Sequence, residues 1–168
     1  MHTIEQLSHP TARDFAELGA LLVDAVAGGA SVNFVKTPSL AQATQWWRAG
    51  LDNDADLLFV ARAEGQIIGC VRLMPAPQPN GWHRAEVGKL LVRSDARRQG
   101  VATALMEALE VQAAAMGRTL LMLDTETGSD AEDFYRRCGW IEFGQLPAHT
   151  YDQRGELSGT TFFAKQLL

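Results

Sequence analysis

The stretch Arg97-Arg98-Gln99-Gly100-Val101-Ala102-Thr103 has the residue types most suited to holding an anion. It joins an apolar run, Leu90-Leu91-Val92, to a segment with helical periodicity. The first turn of a helix carries backbone N–H groups without intrahelical partners and a partial positive charge. Such a terminus can bind phosphate. Gly100 and Ala102 keep bulk away from those amides, and Arg97 and Arg98 add cationic donors. From the loop alone, a surface turn with two solvated arginines is an equally good reading. No Gly-Lys-Ser/Thr follows, so this is not the phosphate loop of nucleoside triphosphatases. Gly-x-Gly-x-x-Gly is absent too, so it is not a dinucleotide fingerprint.

The elements around this loop follow from periodicity. Thr3–Leu7 reads as a first strand. Thr11–Gly28 repeats apolar residues at helical spacing through Phe15, Leu18, Leu22 and Val26. A second helix is expected from Ser39 to about Leu51. Leu57–Arg62 and Gln66–Met74 read as strands joined by a hairpin turn at Glu64-Gly65. Pro75, Pro77, Pro79 and Asn80-Gly81 interrupt the chain before a strand at His83–Val92. Val101, Leu105, Leu109, Ala113 and Met116 mark an amphipathic helix that Gly117 would end. Thr119–Leu123 is almost continuously apolar, as in a strand covered on both faces. Ser129-Asp130-Ala131-Glu132 has the residues of a capping box, opening a short helix that Gly139 would close. Trp140–Phe143 and Thr161–Ala164 read as final strands. The order β-α-α-β-β-β-α-β-α-β-β describes one α/β domain over residues 1–168, with helices packed on a central mixed sheet.

Composition narrows the function classes. The chain has 168 residues and a formal net charge of −5, which argues against a nucleic-acid partner. No apolar run is long enough to cross a bilayer, so no membrane role is expected. The N-terminus lacks the basic and apolar regions of a signal peptide. Cys70 and Cys138 make no disulfide framework, which fits a cytoplasmic location. No Cys or His pair has metal-ligand spacing, so no metal is expected.

Arg97-x-x-Gly100-x-Ala102, after Leu90-Leu91-Val92, resembles the acyl-CoA signature of the GNAT acetyltransferase superfamily. Ala131-Glu132-Asp133-Phe134-Tyr135-Arg136-Arg137-Cys138-Gly139-Trp140 resembles that superfamily's second motif, Ala-x-x-x-Tyr-x-x-x-Gly-Phe/Trp. Arg84-Ala85-Glu86-Val87-x-Lys89-Leu90, Leu123-Asp124-Thr125-Glu126-x-Gly128-Ser129 and Gly144-Gln145-Leu146-Pro147 are similar to the tabtoxin-resistance branch. Gly29-Ala30-Ser31-Val32 and the Trp46 region fit it less specifically. Two positions depart from the pattern. Gly128 stands where many members have Asn, so one cofactor contact should be missing, and Ala102 stands where Gly is commoner.

The resemblance implies a splayed central sheet flanked by about four helices, with acetyl-CoA as cosubstrate. Amides of Arg98, Gln99, Gly100, Val101, Ala102 and Thr103 would hold the pyrophosphate, with Arg97 beside them. The backbone of Leu90, Leu91 and Val92 would run along pantetheine like an added strand. Acetyl transfer to an ammonium needs a base, a stabilised oxyanion and a proton for the departing thiolate. The resemblance assigns the base to Glu86 and Asp124, facing one cleft, and the acid to Tyr135. Each also has a plainer reading: a strand-edge charge, a turn residue, and a ring packed in the core. Cys138 is expected to be a small buried hydrophobe rather than a nucleophile, and Trp46 and Trp47 to be core rather than a substrate wall. Gly88 is expected to mark a bulge that helps to open the sheet.

The reaction expected is direct acetylation of a small-molecule amine in a ternary complex. A protein acetyltransferase and a non-catalytic acyl-CoA-binding module stay open beside it. The resemblance also allows a homodimer, with Thr160–Leu168 as a segment that could pair or swap across its interface.

Overall fold

The computed structural model describes residues 1–30, 32–51, 53 and 55–167; Ser31 of the Gly29-Ala30-Ser31-Val32 stretch lies outside them. After strand β1 (Thr3–Gln6) come helices α1 (Ala12–Ala27) and α2 (Leu40–Gly50). Both open with reciprocal caps. The Thr11 hydroxyl accepts from the Asp14 amide while the Asp14 carboxylate accepts from the Thr11 amide, and Ser39 and Gln42 repeat the arrangement. The two helices touch closely, since a Cβ on Gly19 would sit 2.5 Å from Thr44 Oγ1.

Strands β2 (Leu57–Ala63) and β3 (Gln66–Pro75) form a hairpin. Glu64 and Gly65 both take positive φ, 51° and 75°, the conformation whose twist suits a two-residue turn. The rest of the chain runs β4 (Arg84–Val92), α3 (Val101–Ala115), β5 (Leu120–Glu126), α4 (Asp130–Arg137), β6 (Ile141–Tyr151) and β7 (Leu157–Gln166). All seven strands form one sheet in the order β1-β2-β3-β4-β5-β7-β6, antiparallel except at β4–β5. This is the expected α/β sequence of elements.

Each face of the sheet has its own core. Leu18, Leu22, Val26 and Trp47 of α1 and α2 pack on Leu58, Val60, Cys70 and Leu91. Leu105, Leu109 and Ala113 of α3, with Tyr135 of α4, pack on Val71, Leu73, Ala85, Val87, Leu121, Leu123 and Phe163. Strand alternation sends successive side chains to opposite faces, so Leu58 and Val60 of β2 join one core and Phe59 and Ala61 the other. Among the described residues no helix is long and apolar enough to cross a membrane.

Three expectations need correction. In β5, Leu121 and Leu123 are buried but Leu120 and Met122 only partly, because α1 and α2 do not extend over this strand. β6 reaches Tyr151, well past Phe143, despite Gly144 and Pro147. It is an edge strand, where Pro is tolerated, and its register slips between Leu146 and Thr150. β7 lies between β5 and β6, so both its edges are occupied within the chain. Pairing across an interface through this segment, whose last residue Leu168 is outside those described, would have to displace a neighbour.

The capping box at α4 is only half formed. Ser129 Oγ accepts from the Glu132 amide at 3.3 Å, but the Ser129 amide bonds to the Glu126 carbonyl. Glu132 instead accepts from the Gly128 amide (2.6 Å), the Thr161 hydroxyl (2.8 Å) and Arg136 (2.8 Å), tying α4 to β7. Burial by itself would raise the pKa of Glu132, but these bonds outweigh it and hold it below its usual 4.5. Asp14 is similar: burial opposes ionisation, while Thr11 and Arg62 hold its carboxyl below 3.8. A depressed native pKa contributes stability that is complete above the unfolded-state value and lost as pH falls through the native one. Thermal stability should therefore fall steadily below about pH 4.5, and Glu132→Gln should flatten part of that acid slope. Melting curves of both proteins from neutral to acid pH check this; an unchanged slope in the variant would exclude Glu132 as a source.

Candidate active site

β4 and β5 pair in parallel only at Arg84–Leu120, Ala85–Leu121 and Glu86–Met122. Beyond Glu86 both strands continue without pairing to each other, and the sheet splays. The Arg93 amide donates to the Ile68 carbonyl at 2.8 Å, which turns the backbone of Arg93 and Leu91 toward β3. Alternation then directs Leu90 and Val92 to the gap. The Val92 carbonyl accepts from Arg97 Nε at 3.2 Å rather than from a strand partner. Of the three residues expected to offer backbone to a cofactor, Leu91 is committed to β3 and its side chain is buried.

A bulge accompanies the splay. The pairs Cys70–Leu91 and Arg72–Gly88 leave Lys89 and Leu90 opposite Val71. The left-handed residue is Lys89, at φ 55°, one position after the glycine that sequence points to. The insertion resets the alternation. Lys89 would otherwise enter the α3 core; instead it lies on the α2 side, with its Nζ 5.4 Å from the centre of the Trp46 ring. Trp47 is fully buried in the core, whereas Trp46 supports Lys89.

On the same side is a cavity of about 590 Å³, over the part of the sheet that α1 and α2 leave uncovered. Glu86 and Asp124 both line it. Their neighbours Ala85, Val87 and Leu123 point into the α3 core, so the two carboxylates share the opposite face. Phe162, opposite Asp124 on β7, and Phe143 of β6 form an aromatic wall. Asp56 also lines the cavity but is paired with Arg72 at 2.5 Å. Burial pushes the Lys89 ammonium below its usual pKa and Arg72 adds to this, while Asp124 and Glu86 pull it back.

Tyr135 lies on the other face of the sheet. Its ring is 7 % exposed and packs with Trp140 and Phe163, so the core reading of this residue holds for the ring. Burial raises its pKa and the negative charge of Asp124 raises it further, so the phenol stays protonated at neutral pH. Asp124 thus acts on groups of both faces, Lys89 and Tyr135, as expected beside an opening between strands.

The start of α3 differs from the other helices. Thr11, Ser39 and Ser129 cap α1, α2 and α4, but α3 begins at Gly100 with no side-chain cap. The first intrahelical bond runs from the Ala104 amide to the Gly100 carbonyl, leaving the amides of Val101, Ala102 and Thr103 without intrahelical acceptors. Arg98 and Gly100 are left-handed, at φ 60° and 79°, which gathers successive amides into a concavity. Arg97 is turned back onto the Val92 carbonyl and against Gly28, and Gln99 Nε2 donates to the Asp95 carbonyl at 3.0 Å. Their side chains brace the loop, while Arg98 is exposed, 3.5 Å from an equally exposed Asp130. Val101 anchors the turn through its buried side chain. The open amides, the small residues and the exposed arginine suit a polyphosphate. The Gly128 amide is taken by Glu132, so that N–H is not open to a ligand.

Lys89 and the Arg72–Asp56 pair escape sequence reasoning. One signal was present for Lys89: in Glu86-Val87-Gly88-Lys89-Leu90-Leu91 the period of two breaks after Gly88.

Three comparisons bear on this site. The model of the acetyltransferase (GNAT) family matches residues 13–140. An L-methionine sulfoximine/L-methionine sulfone acetyltransferase of Pseudomonas paraeruginosa is 27 % identical over 136 residues, 80 % of this chain and 78 % of that protein. Among solved structures, a ribosomal-protein-alanine N-acetyltransferase from Brucella melitensis has a TM-score of 0.81 at 26 % identity, over 98 % of this chain and 99 % of that one. The yncA structure from Salmonella typhimurium, with its cofactor acetyl-CoA, has a TM-score of 0.79 at 18 % identity, over 100 % and 95 %.

Proposed function

This chain belongs to the acetyltransferase (GNAT) family, and we propose that it transfers the acetyl group of acetyl-CoA directly to the amine of a small, amino-acid-like molecule. The observation that carries this reading is the cavity in which Glu86 and Asp124 meet at the mouth of the β4–β5 splay. The sulfoximine and sulfone acetyltransferase supports a small acceptor with an amino-acid skeleton. Acetyl-CoA supplies an activated acetyl thioester. The open amides of Val101, Ala102 and Thr103, with Arg98, hold its pyrophosphate, and the Leu90 and Val92 backbone flanks its pantetheine.

An alkylammonium is charged at neutral pH and must lose a proton before it can attack. Glu86 and Asp124 attract it and take that proton, directly or through a water. Backbone N–H groups in the gap stabilise the negative charge that develops on the acetyl oxygen. Tyr135, held protonated, donates to the departing thiolate from the opposite face. No acyl-enzyme is needed, and burial raises the pKa of the Cys138 thiol above its usual value. Tyr135→Phe should lower kcat by about 10²-fold while Tm changes little, because only the hydroxyl is lost. Steady-state rates beside a melting curve check this, and an unchanged kcat would remove the acid role.

Release of CoA, measured with a panel of free amines and a panel of N-terminal peptides, tests the reading as a whole. Turnover of small amines in preference to peptides is expected. Preference for peptides would overturn the acceptor class, and absence of any acetyl-CoA-dependent turnover would overturn the reaction.

A further inference from the structure

Resting on that reading, we propose that Arg84 is the anion-binding residue of the acceptor site, so that the acceptor is a zwitterion with its amine at Glu86 and Asp124 and a carboxylate at Arg84. Among the described residues lining the cavity, Arg84 is the one cation. It faces three carboxylates there, of Asp56, Glu86 and Asp124. An arginine so placed would be expected to pair with one of them, yet among the described residues it lies within 4 Å of none.

The reason is local. The guanidinium is packed on the backbone of Gly81, where a Cβ would collide with it. Gly81 lies in a short 3-10 turn, Pro79–Gly81, whose amide bonds to the Gln78 carbonyl at 2.9 Å. Arg118 of the α3–β5 connection fastens the same wall by donating to the Ala76 and Trp82 carbonyls. The Ala76 amide donates to the Arg84 carbonyl at 3.0 Å. Arg84 is thus seated away from Glu86 and Asp124, and the space between is left for a ligand.

The direction fits as well. Arg84 and Glu86 are on one face of β4, about 7 Å apart along the strand. Arg84 is at the end where β4 and β5 pair, and Glu86 where they begin to part. An acceptor amine must face the gap, beyond Glu86, to meet the thioester. Its other end then points to Arg84. The guanidinium fork matches a carboxylate in two parallel hydrogen bonds.

The test compares acceptors that differ only in the anion: L-methionine sulfone, its carboxamide and its decarboxylated amine, with the same three forms of several other amino acids. For wild type, kcat/KM for the best carboxylate should exceed that of its neutral counterparts by about 10- to 100-fold. Arg84→Met should abolish this preference through KM, with little change in kcat on the decarboxylated amine. Gly81→Ala should act in the same direction by unseating the guanidinium, and Arg84→Lys should restore part of the preference. Melting curves show that each variant is folded. Binding of the same compounds, followed by calorimetry, repeats the comparison without turnover. If no carboxylate is used or bound better than its neutral counterpart, or if Arg84→Met weakens both alike, the proposal is overturned. Failure to bind acetyl-CoA would overturn the acetyltransferase reading instead, and the binding arm would still read the carboxylate preference.

Discussion

The double substitution Glu86→Gln with Asp124→Asn is expected to lower kcat/KM for the amine by about 10³-fold. Acetyl-CoA affinity should stay nearly constant. Both carboxylates line one cavity, on the face of the sheet away from Tyr135 and apart from the amides at the start of α3. Removing them takes away the charge that gathers an ammonium and the acceptor of its proton, without touching the phosphate loop. Each single substitution should cost less than half of the double effect on a logarithmic scale, because the remaining carboxylate can still act through a water. Two groups that can stand in for one another are non-additive in this way, each covering for the loss of the other. Raising the pH should narrow the deficit, since an amine already deprotonated near its own pKa of about 10 needs no base. A pH–rate profile of the double variant checks this. A deficit that stays constant to high pH would assign the two residues to binding rather than proton transfer.

The second large effect has opposite signs in two assays. Ala102→Glu should leave the protein as stable as wild type or slightly more so, yet weaken acetyl-CoA binding by about 10²-fold. A carboxylate in the first turn of a helix interacts favourably with the free amides and the dipole. The start of α3 has no cap of its own, so the new side chain would fill that role. In doing so it would occupy and repel the position of a pyrophosphate. A melting curve and an acetyl-CoA titration of one variant give both signs. Loss of binding together with loss of Tm would point to a damaged fold instead. Unchanged binding would mean that the amides of α3 do not hold the cofactor.

Local signals in the sequence were sufficient for most of the framework. The stripe from Val101 to Ala113, the turn at Glu64-Gly65 and the helix starts at Thr11 and Ser39, which the structure shows to be caps, each depend on residues close by in the chain. The candidate phosphate site was legible for the same reason, because Gly100 and Ala102 fix its shape from within the loop. What was not legible depends on partners distant in the chain. Whether Gly88 or Lys89 takes the left-handed conformation is decided by register against Cys70 and Arg72. Glu132 matches a local cap but is drawn away by Thr161, 29 residues on, and by the Gly128 amide. The full length of β6 was hidden by Gly144 and Pro147, which an edge strand accommodates. Glu86 and Asp124 are 38 positions apart and meet only because β4 and β5 run parallel up to the splay. Resemblance pointed to this pair; periodicity alone could not. The turn at Gly81 is only three residues from Arg84, but the clamp from Arg118 and the carboxylates of Asp56 and Asp124 that Arg84 faces are distant in the chain, and they are what the sequence hides.

The most direct single measurement is a thermal-shift titration of the wild-type protein with acetyl-CoA, with free adenosine diphosphate and NAD as controls. At about 100 times its Kd a ligand adds about 2.7 kcal/mol to the folded state. In a chain of this size that is a rise of several degrees. A saturable rise with acetyl-CoA, absent from both controls and lost in Ala102→Glu, is the result predicted. No rise in a protein that melts cooperatively, or an equal rise with the controls, would contradict an acetyl-CoA site at the start of α3 and the acetyl transfer built on it.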